Sequence, residues 1–309
     1  MQSWQFGNGF TGNGREKKYM KFVRTMRKTI SRIDIELSSK IMYWTFVHKK
    51  LNLNTPTTFN EKLCWLKLRE FPKNPQVIRC TDKYLVHNYI QEKGYKELLV
   101  KIIGVWEKTE DINWESLPNR FVLKCTHGCA YNIICTDKDT LDKKQAIKKL
   151  NTWLKEDFGL VSGEPHYSKI QRRIVCEEFL EGELKDYKFF CFNGIPRFYY
   201  VAITPNGDFH NMRCDFFWPN GEPADFYRLD HKRFESLPEM PNNLEQMLKI
   251  AKKLSEDFPF VRVDLMNVNN KLYFSELTFT PSAGIMPLAP DNADARIGEW
   301  LDLGVYNRM

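Results

Sequence analysis

Two carboxylates twelve residues apart carry the first chemical signal in this sequence. Asp264 is preceded at two residues by Arg262, and Glu276 is followed at two residues by Thr278, within FPFVRVDLMNVNNKLYFSELTFTPSAGIMPL over residues 258–288. Two carboxylates and a hydroxyl are the oxygen ligands a hard cation such as Mg²⁺ accepts, leaving the rest of its shell to water and substrate phosphates. That chemistry needs all the groups on one surface, and the local pattern supplies one. Val261, Val263 and Leu265 alternate with Arg262 and Asp264, a strand signature; residues 267–271 form the turn; residues 272–274 begin the return strand. Antiparallel neighbours bring Asp264 and Glu276 to one face, with Thr278 further along it and Arg262 beside Asp264. A hairpin with a solvated polar face has the same pattern, so the choice falls to the rest of the chain.

A second polar group is FVLKCTHGCAYNIIC, residues 121–135: strand, tight loop, strand. Lys124 lies inside an apolar strand, where a lysine costs desolvation unless it has a partner. The loop after it, with His127, Gly128 and Asn132, offers a run of backbone N–H groups of the kind that cradles phosphate. Further on, residues 174–180 are an apolar strand ending in Glu177 and Glu178, then Phe179 and Leu180. After a turn, Asp186 and Lys188 open the next strand. Upstream, Asp82-Lys83 is expected to start a helix over residues 82–92 that stops at Gly94.

The elements that must hold these residues are mixed. Thr58 and Glu61 form a capping box for a helix that ends before Pro72; the cap accounts for Glu61 without any chemistry. Residues 98–106 read as a strand, 141–155 as an amphipathic helix, 174–217 as an antiparallel meander, and 244–258 as a helix feeding the hairpin. The 309 residues, 42% hydrophobic and 28% charged, suit a globular α+β protein of two or three lobes. Eight cysteines (64, 80, 125, 129, 135, 176, 191, 214) form no CxxC pair and read as reduced core residues. No apolar run reaches membrane-spanning length and no signal-peptide core opens the chain, so the expected location is the cytoplasm. A net charge of +7 suits anionic partners. Residues 17–50 form a basic, roughly amphipathic helical stretch, read either as a helix packed on the body or as a peripheral contact at the inner membrane face. No nucleic-acid motif accompanies the charge, and no nucleic-acid partner is expected.

Taken together, the strand lysine with its loop, the hinge EEFLEGELKDYKFF and RVD followed by ELT resemble the ATP-grasp superfamily. The order and spacing are most similar to the TupA-like (teichuronopeptide-biosynthesis-type) proteins of bacterial surface-polysaccharide clusters, over about residues 55–300. The resemblance implies an ATP-grasp fold with the nucleotide between two α+β lobes, and ATP and Mg²⁺ as its cofactors. By position, Lys83 and Lys124 would reach the nucleotide phosphates, with the lid loop over His127, Gly128 and Asn132. Glu177, Glu178, Phe179 and Leu180 would bind adenine, Asp186 the ribose, and Lys188 would lie near the phosphates. Asp264, Glu276 and Thr278 would hold the metal, and Arg262 would steady the transferred phosphoryl group. Thr280, Ser282 and Gly284 fall in the loop that holds a carboxylate substrate. Two departures stand out: Cys129-Ala130 where a Ser-Gly pair is commoner, which bears on lid flexibility, and Thr278 where many relatives have Asn.

The implied organisation is a disordered leader or expression remnant over residues 1–16 and a helical region over 17–110. A small lobe with the lid loop follows over 111–180, and a second lobe with the metal site over 181–309. The implied reaction is amide-bond ligation, in which a sugar carboxylate forms an acyl phosphate and an amino acid or amine displaces phosphate. Phosphoryl transfer to a hydroxyl on the same scaffold is the alternative. A glycosyltransferase is a third reading, but Asp137-Lys138-Asp139 sits in an ordinary turn. Acceptor recognition is expected from Arg197, His210, Arg213, Asp215 and Trp218, and from residues 282–290.

Overall fold

The computed structural model describes residues 14–182, 184–203 and 212–304, with the side chains of 14–21 left aside; the expected leader over 1–13 lies outside them, and residues 14–16 already belong to a helix. Two antiparallel sheets face each other across a cleft. The small lobe holds β1 (Ile102–Trp106), β2 (Phe121–Cys125), β3 (Asn132–Cys135) and β4 (Ile174–Glu178), in the order β1-β4-β2-β3. The large lobe holds β5 (Leu184–Phe192), β6 (Ile195–Ile203), β7 (Arg213–Phe217), β9 (Phe260–Val268) and β10 (Lys271–Thr278), in the order β10-β9-β5-β6-β7. A two-stranded piece pairs β8 (Tyr227–Arg228) with β11 (Leu288–Ala289).

Each sheet is anchored by the apolar face its alternation predicts. In the large lobe Val261, Val263 and Leu265 are fully buried and pack with Met247, Ile250, Ala251 and Leu254 of α8 (Leu244–Ser255). In the small lobe Phe121, Leu123 and Cys125 pack with Leu150 and Trp153 of α6 (Lys143–Lys155). On the opposite face of the large sheet Phe190, Phe192 and Phe260 pack against Phe59, and the polar side chains Lys188, Arg262 and Asp264 lie beside them.

One irregularity sets the site. From Lys271 to Phe274, β10 pairs with β9 in simple register; a bulge then intervenes, and Glu276 falls opposite Asp264 and Thr278 opposite Arg262. Had the earlier register run on unbroken, Glu276 would fall opposite Val263 in the core. A bulge of this kind re-aims side chains.

The capping box on α3 (Phe59–Arg69) forms as expected, with the Glu61 carboxylate accepting from the N–H groups of Thr58 and Thr57 and from that of Asn52. The helix expected from Asp82 begins later. Asp82 ends α4 (Pro75–Thr81), and its carboxylate accepts from the N–H groups of Tyr84 and Leu85 and from Arg173. That local turn competes with helix, so α5 spans only Val86–Glu92 and Lys83 sits in the connection. At the N-terminal side α1 (Gly14–Ile33) and α2 (Ile35–Val47) are separated by Asp34, the N-cap of α2. α1 packs beside α7 (Phe158–Ser162) and ties to the small lobe where Arg24 bridges Glu156 at 2.5 Å and donates to the Tyr131 hydroxyl at 3.0 Å.

Candidate functional site

Five side chains from three neighbouring strands share one face of the large sheet. Lys188 on β5 stands directly opposite Asp264 on β9, and Glu276 on β10 stands opposite it on the other side. Arg262 donates through Nε and Nη2 to the two Asp264 oxygens, both at 2.7 Å; the same Nη2 lies 3.2 Å from Glu276 and 2.9 Å from the Thr278 hydroxyl. Lys188 adds a 2.7 Å bond to Asp264 Oδ2. Arg262 also lies over the Tyr200 ring, 6.0 Å from its centroid. Asp264 has no exposed surface. Burial pushes its carboxyl pKa up, against the pull of Arg262 and Lys188. Glu276 goes the other way: burial would raise it, but Lys83, Arg262 and Lys188 together bring it down to about 2. One carboxylate is therefore clamped between cations and the other stays ionised at the mouth.

The cleft over this face holds a cavity of about 150 Å³, walled by Lys124, Ala130, Tyr131, Asn132 and Glu177 of the small lobe, Phe274, Ser275 and Glu276 of the large lobe, and by Lys83, His87 and Val100. Lys124 finds its partner across β2 and β4: Nζ donates to Glu177 at 2.5 Å. Lys83 donates to the Gly128 carbonyl at 2.6 Å, holding the base of the loop. Gly128 must be small, because a Cβ there would lie 2.6 Å from the Tyr131 ring. Ala130 adopts φ +57°, a left-handed conformation that suits the glycine commoner at this place. Glu178 is exposed, and Phe179 and Leu180 are half-buried in the link between the sheets; Asp186 is half-buried on β5, 4.0 Å from Lys188. His127 is a correction. It is buried, with its Nε2 donating to the Trp153 carbonyl at 2.9 Å, and desolvation drives its pKa down to about 4. It is packed in the wall of the small lobe and does not line the cavity.

Beyond Thr278 the chain turns sharply. Ser282 and Ala283 are both left-handed, at φ +52° and +56°, followed by Gly284 at +76°. Consecutive strained residues are held only where the surroundings fix them. Here the Thr280 hydroxyl donates to Glu164, Lys67 donates to the Ala283 carbonyl at 2.8 Å, and Arg228 donates to the Ser282 hydroxyl at 3.0 Å. Arg228 is buried and clamped by Asp230 through bonds of 2.9 and 2.7 Å. Sequence reasoning missed Arg228, Lys67 and Glu164. Arg228 lies in a two-residue strand without periodicity, but its neighbour Asp230 two positions on is a signal that could have marked it. Lys67 reads as the outer face of a capped helix, yet it is fully buried.

Four expected acceptor residues, Arg197, Arg213, Asp215 and Trp218, are not brought here. Arg197 is exposed and lies over the Trp300 ring at 5.9 Å. Arg213 donates to Glu235 and to the Arg233 carbonyl. Their strand positions are right for the meander but their partners lie outside the cleft. Asp215 is buried holding Arg233, Trp218 packs on Phe226, and His210 lies outside the described residues.

The sequence matches the TupA-like ATP-grasp family over residues 61–302, more than three quarters of the chain. This chain belongs to the TupA-like ATP-grasp family. No curated protein matches the sequence. Solved structures similar to it include three ligases. The D-alanine–D-alanine ligase of Bacillus anthracis complexed with ATP is 17% identical, with a TM-score of 0.39, over 65% of this chain and 55% of that one. That of Helicobacter pylori is 16% identical, with a TM-score of 0.42, over 79% and 69%. The phosphoribosylamine–glycine ligase of Thermotoga maritima is 12% identical, with a TM-score of 0.40, over 69% and 52%. The chain thus spans little more than half of the first of these.

For a TupA-like ATP-grasp protein the question is whether these residues fit a metal. Three oxygens, from Asp264, Glu276 and Thr278, converge within 3.2 Å of one guanidinium nitrogen, so Arg262 Nη2 fills the point where they meet. Among the described residues no group of three or more His, Cys, Asp or Glu forms a cation cage. The donor types, two carboxylates and a hydroxyl, are ones that Mg²⁺ accepts when phosphate and water complete its shell.

Proposed function

We propose that this protein is an ATP-dependent carboxylate–amine ligase of bacterial surface-polysaccharide assembly, joining an amino acid or amine to a sugar carboxylate in the cytoplasm. The observation that carries the proposal is the convergence of Arg262, Asp264, Glu276 and Thr278 opposite the Lys124–Glu177 wall, with a strained, triply held turn at one end. Phosphoryl transfer asks the protein for positioning and charge neutralisation more than for covalent chemistry.

Lys124 and Lys83 would hold the nucleotide phosphates. Glu177 to Leu180 would receive adenine and Asp186 the ribose, with Asn132 and Gly128 in the loop above and Lys188 supporting Asp264 from below. Asp264, Glu276 and Thr278 would hold magnesium, which supplies charge neutralisation between phosphates. Arg262 would stabilise the equatorial oxygens of the group in flight, and Thr280, Ser282 and Gly284 would seat the acceptor carboxylate. The polysaccharide setting comes from the family resemblance. The test is MgATP turnover with pooled uronic-acid sugars, amino acids and hydroxylamine. ADP, phosphate and a hydroxamate are expected; a phosphorylated sugar would establish a kinase instead. Failure of MgATP to bind, or equal binding by Lys124→Ala, would overturn the nucleotide site.

A further inference from the structure

The charge of this chain is not spread over it. Residues 14–50 contain eleven Lys and Arg against three Asp and Glu, a surplus of eight where the whole chain has seven. All of the positive excess therefore belongs to α1, α2 and the three residues that follow. Within it Arg32, Lys40, Lys49 and Lys50 are exposed. Of the acids, Asp34 is engaged as the N-cap of α2 and Glu36 bridges Lys40 and Arg69.

The same segment leaves large apolar side chains in solvent. Ile33 is 82% exposed, Leu37 47%, Ile41 45% and Trp44 67%. At 100° per residue the last three fall within an arc of roughly 60° on one face of α2. The opposite face is already in use: Met42 and Tyr43 pack with Leu51, Leu53, Cys64, Ala283 and Ile285. α2 is therefore apolar on two sides, and burial against the body accounts for only one. Phe22 and Met26, at 61% and 46%, extend the exposed apolar surface along α1. Scattered exposed apolar residues need no explanation; a row with an indole at its end and a basic surround does. Nucleic acid would use the charge and leave the aliphatic row in water. An anionic bilayer satisfies both, since the row enters the headgroup boundary and the basic residues meet the lipid charge.

We infer that the outer face of α2, with the exposed apolar residues of α1, docks on an anionic lipid surface. The inner face of α2 covers Ala283 and Ile285, so docking would hold the acceptor turn about one helix diameter from the headgroups, roughly 10 Å. The inference does not depend on the chemistry assigned to the cleft.

The test is sedimentation of the full-length protein with phosphatidylcholine vesicles and with vesicles containing 30% phosphatidylglycerol, at low and physiological salt. Binding is expected to the anionic vesicles only. Leu37→Ser/Trp44→Ser should weaken it about ten-fold or more, and Lys49→Glu/Lys50→Glu should weaken it and reduce its salt dependence. The melting temperature and far-ultraviolet circular dichroism serve as the folding control and should not change. The inference is overturned if the wild type ignores anionic vesicles, if the apolar variant binds them equally well, or if duplex DNA competes the protein off completely. It is also overturned if light scattering shows a wild-type dimer that the apolar variant converts to monomer, because the face would then be a contact between copies.

Discussion

Replacing Asp264 by Asn changes one atom type at the most enclosed point of the site. The wild-type carboxylate accepts three charge-assisted bonds of 2.7 Å, two from Arg262 and one from Lys188. An asparagine keeps the shape but turns an amide N–H₂ toward two cations and removes the charge that holds them. Removing one partner from a buried ion pair typically costs about 3–5 kcal/mol. Glu276 and Asp186 remain near Arg262 and Lys188 at 3.2 and 4.0 Å, so the lower end, about 3 kcal/mol, is expected. For a chain of this size that corresponds to a fall in melting temperature of roughly 6–12 °C. Differential scanning fluorimetry measures it, and ADP release measures the function, which should be lost. Adding Lys188→Met should return part of the stability, because one stranded cation goes with it. A variant melting within 2 °C of wild type would refute the clamped-carboxylate reasoning, and wild-type turnover would refute the metal role.

Lys124→Met leaves Glu177 facing the cavity without its cation, and MgATP affinity by calorimetry should fall at least about ten-fold; unchanged affinity would remove Lys124 from the nucleotide site. Acid stability offers an independent check on Glu276. Its pKa in the folded protein, about 2, lies below the unfolded value near 4.3. Its contribution is therefore complete above about pH 4.3 and lost as the pH falls toward 2. Asp264, shifted upward, acts with the opposite sign, so the comparison must be with Glu276→Gln: between pH 5 and 3 the urea midpoint of the wild type should fall more steeply than that of the variant.

Local patterns carried much of this architecture. The Thr58–Glu61 box is visible because both partners lie within three residues, and the alternation about Arg262 and Asp264 because a strand buried on one face must alternate. The family motifs then ordered the cleft. What failed to show depends on pairing between distant segments. Arg228 becomes meaningful only when Ser282, fifty-four residues later, folds onto it. His127 looked like a loop polar group, and only the burial of α6 against β2 reveals it as a packed wall residue. Arg197 and Arg213 have plausible residue types, but nothing local reports which partners their strands offer. Over residues 17–50 the basic character was legible, whereas the second apolar face of α2 emerged only once Met42 and Tyr43 had used the first.

The bulge before Glu276 has an evolutionary side. Upstream of it Leu272 and Phe274 pair with Asn267 and Leu265; downstream Glu276 and Thr278 pair with Asp264 and Arg262, although all four share the same parity in the sequence. β10 is written in two reading phases joined at Ser275. Point substitutions can be absorbed there one at a time, and so can loss of the extra residue, whereas straightening the strand with Ser275 still in it cannot. Deleting Ser275 would put Glu276 directly after Phe274, so one unbroken alternation would still leave Phe274 opposite Leu265 and Glu276 opposite Asp264. Relatives that keep the site should therefore keep the carboxylate and the hydroxyl in the cleft phase, either with a bulge before them or with a strand one residue shorter at this point.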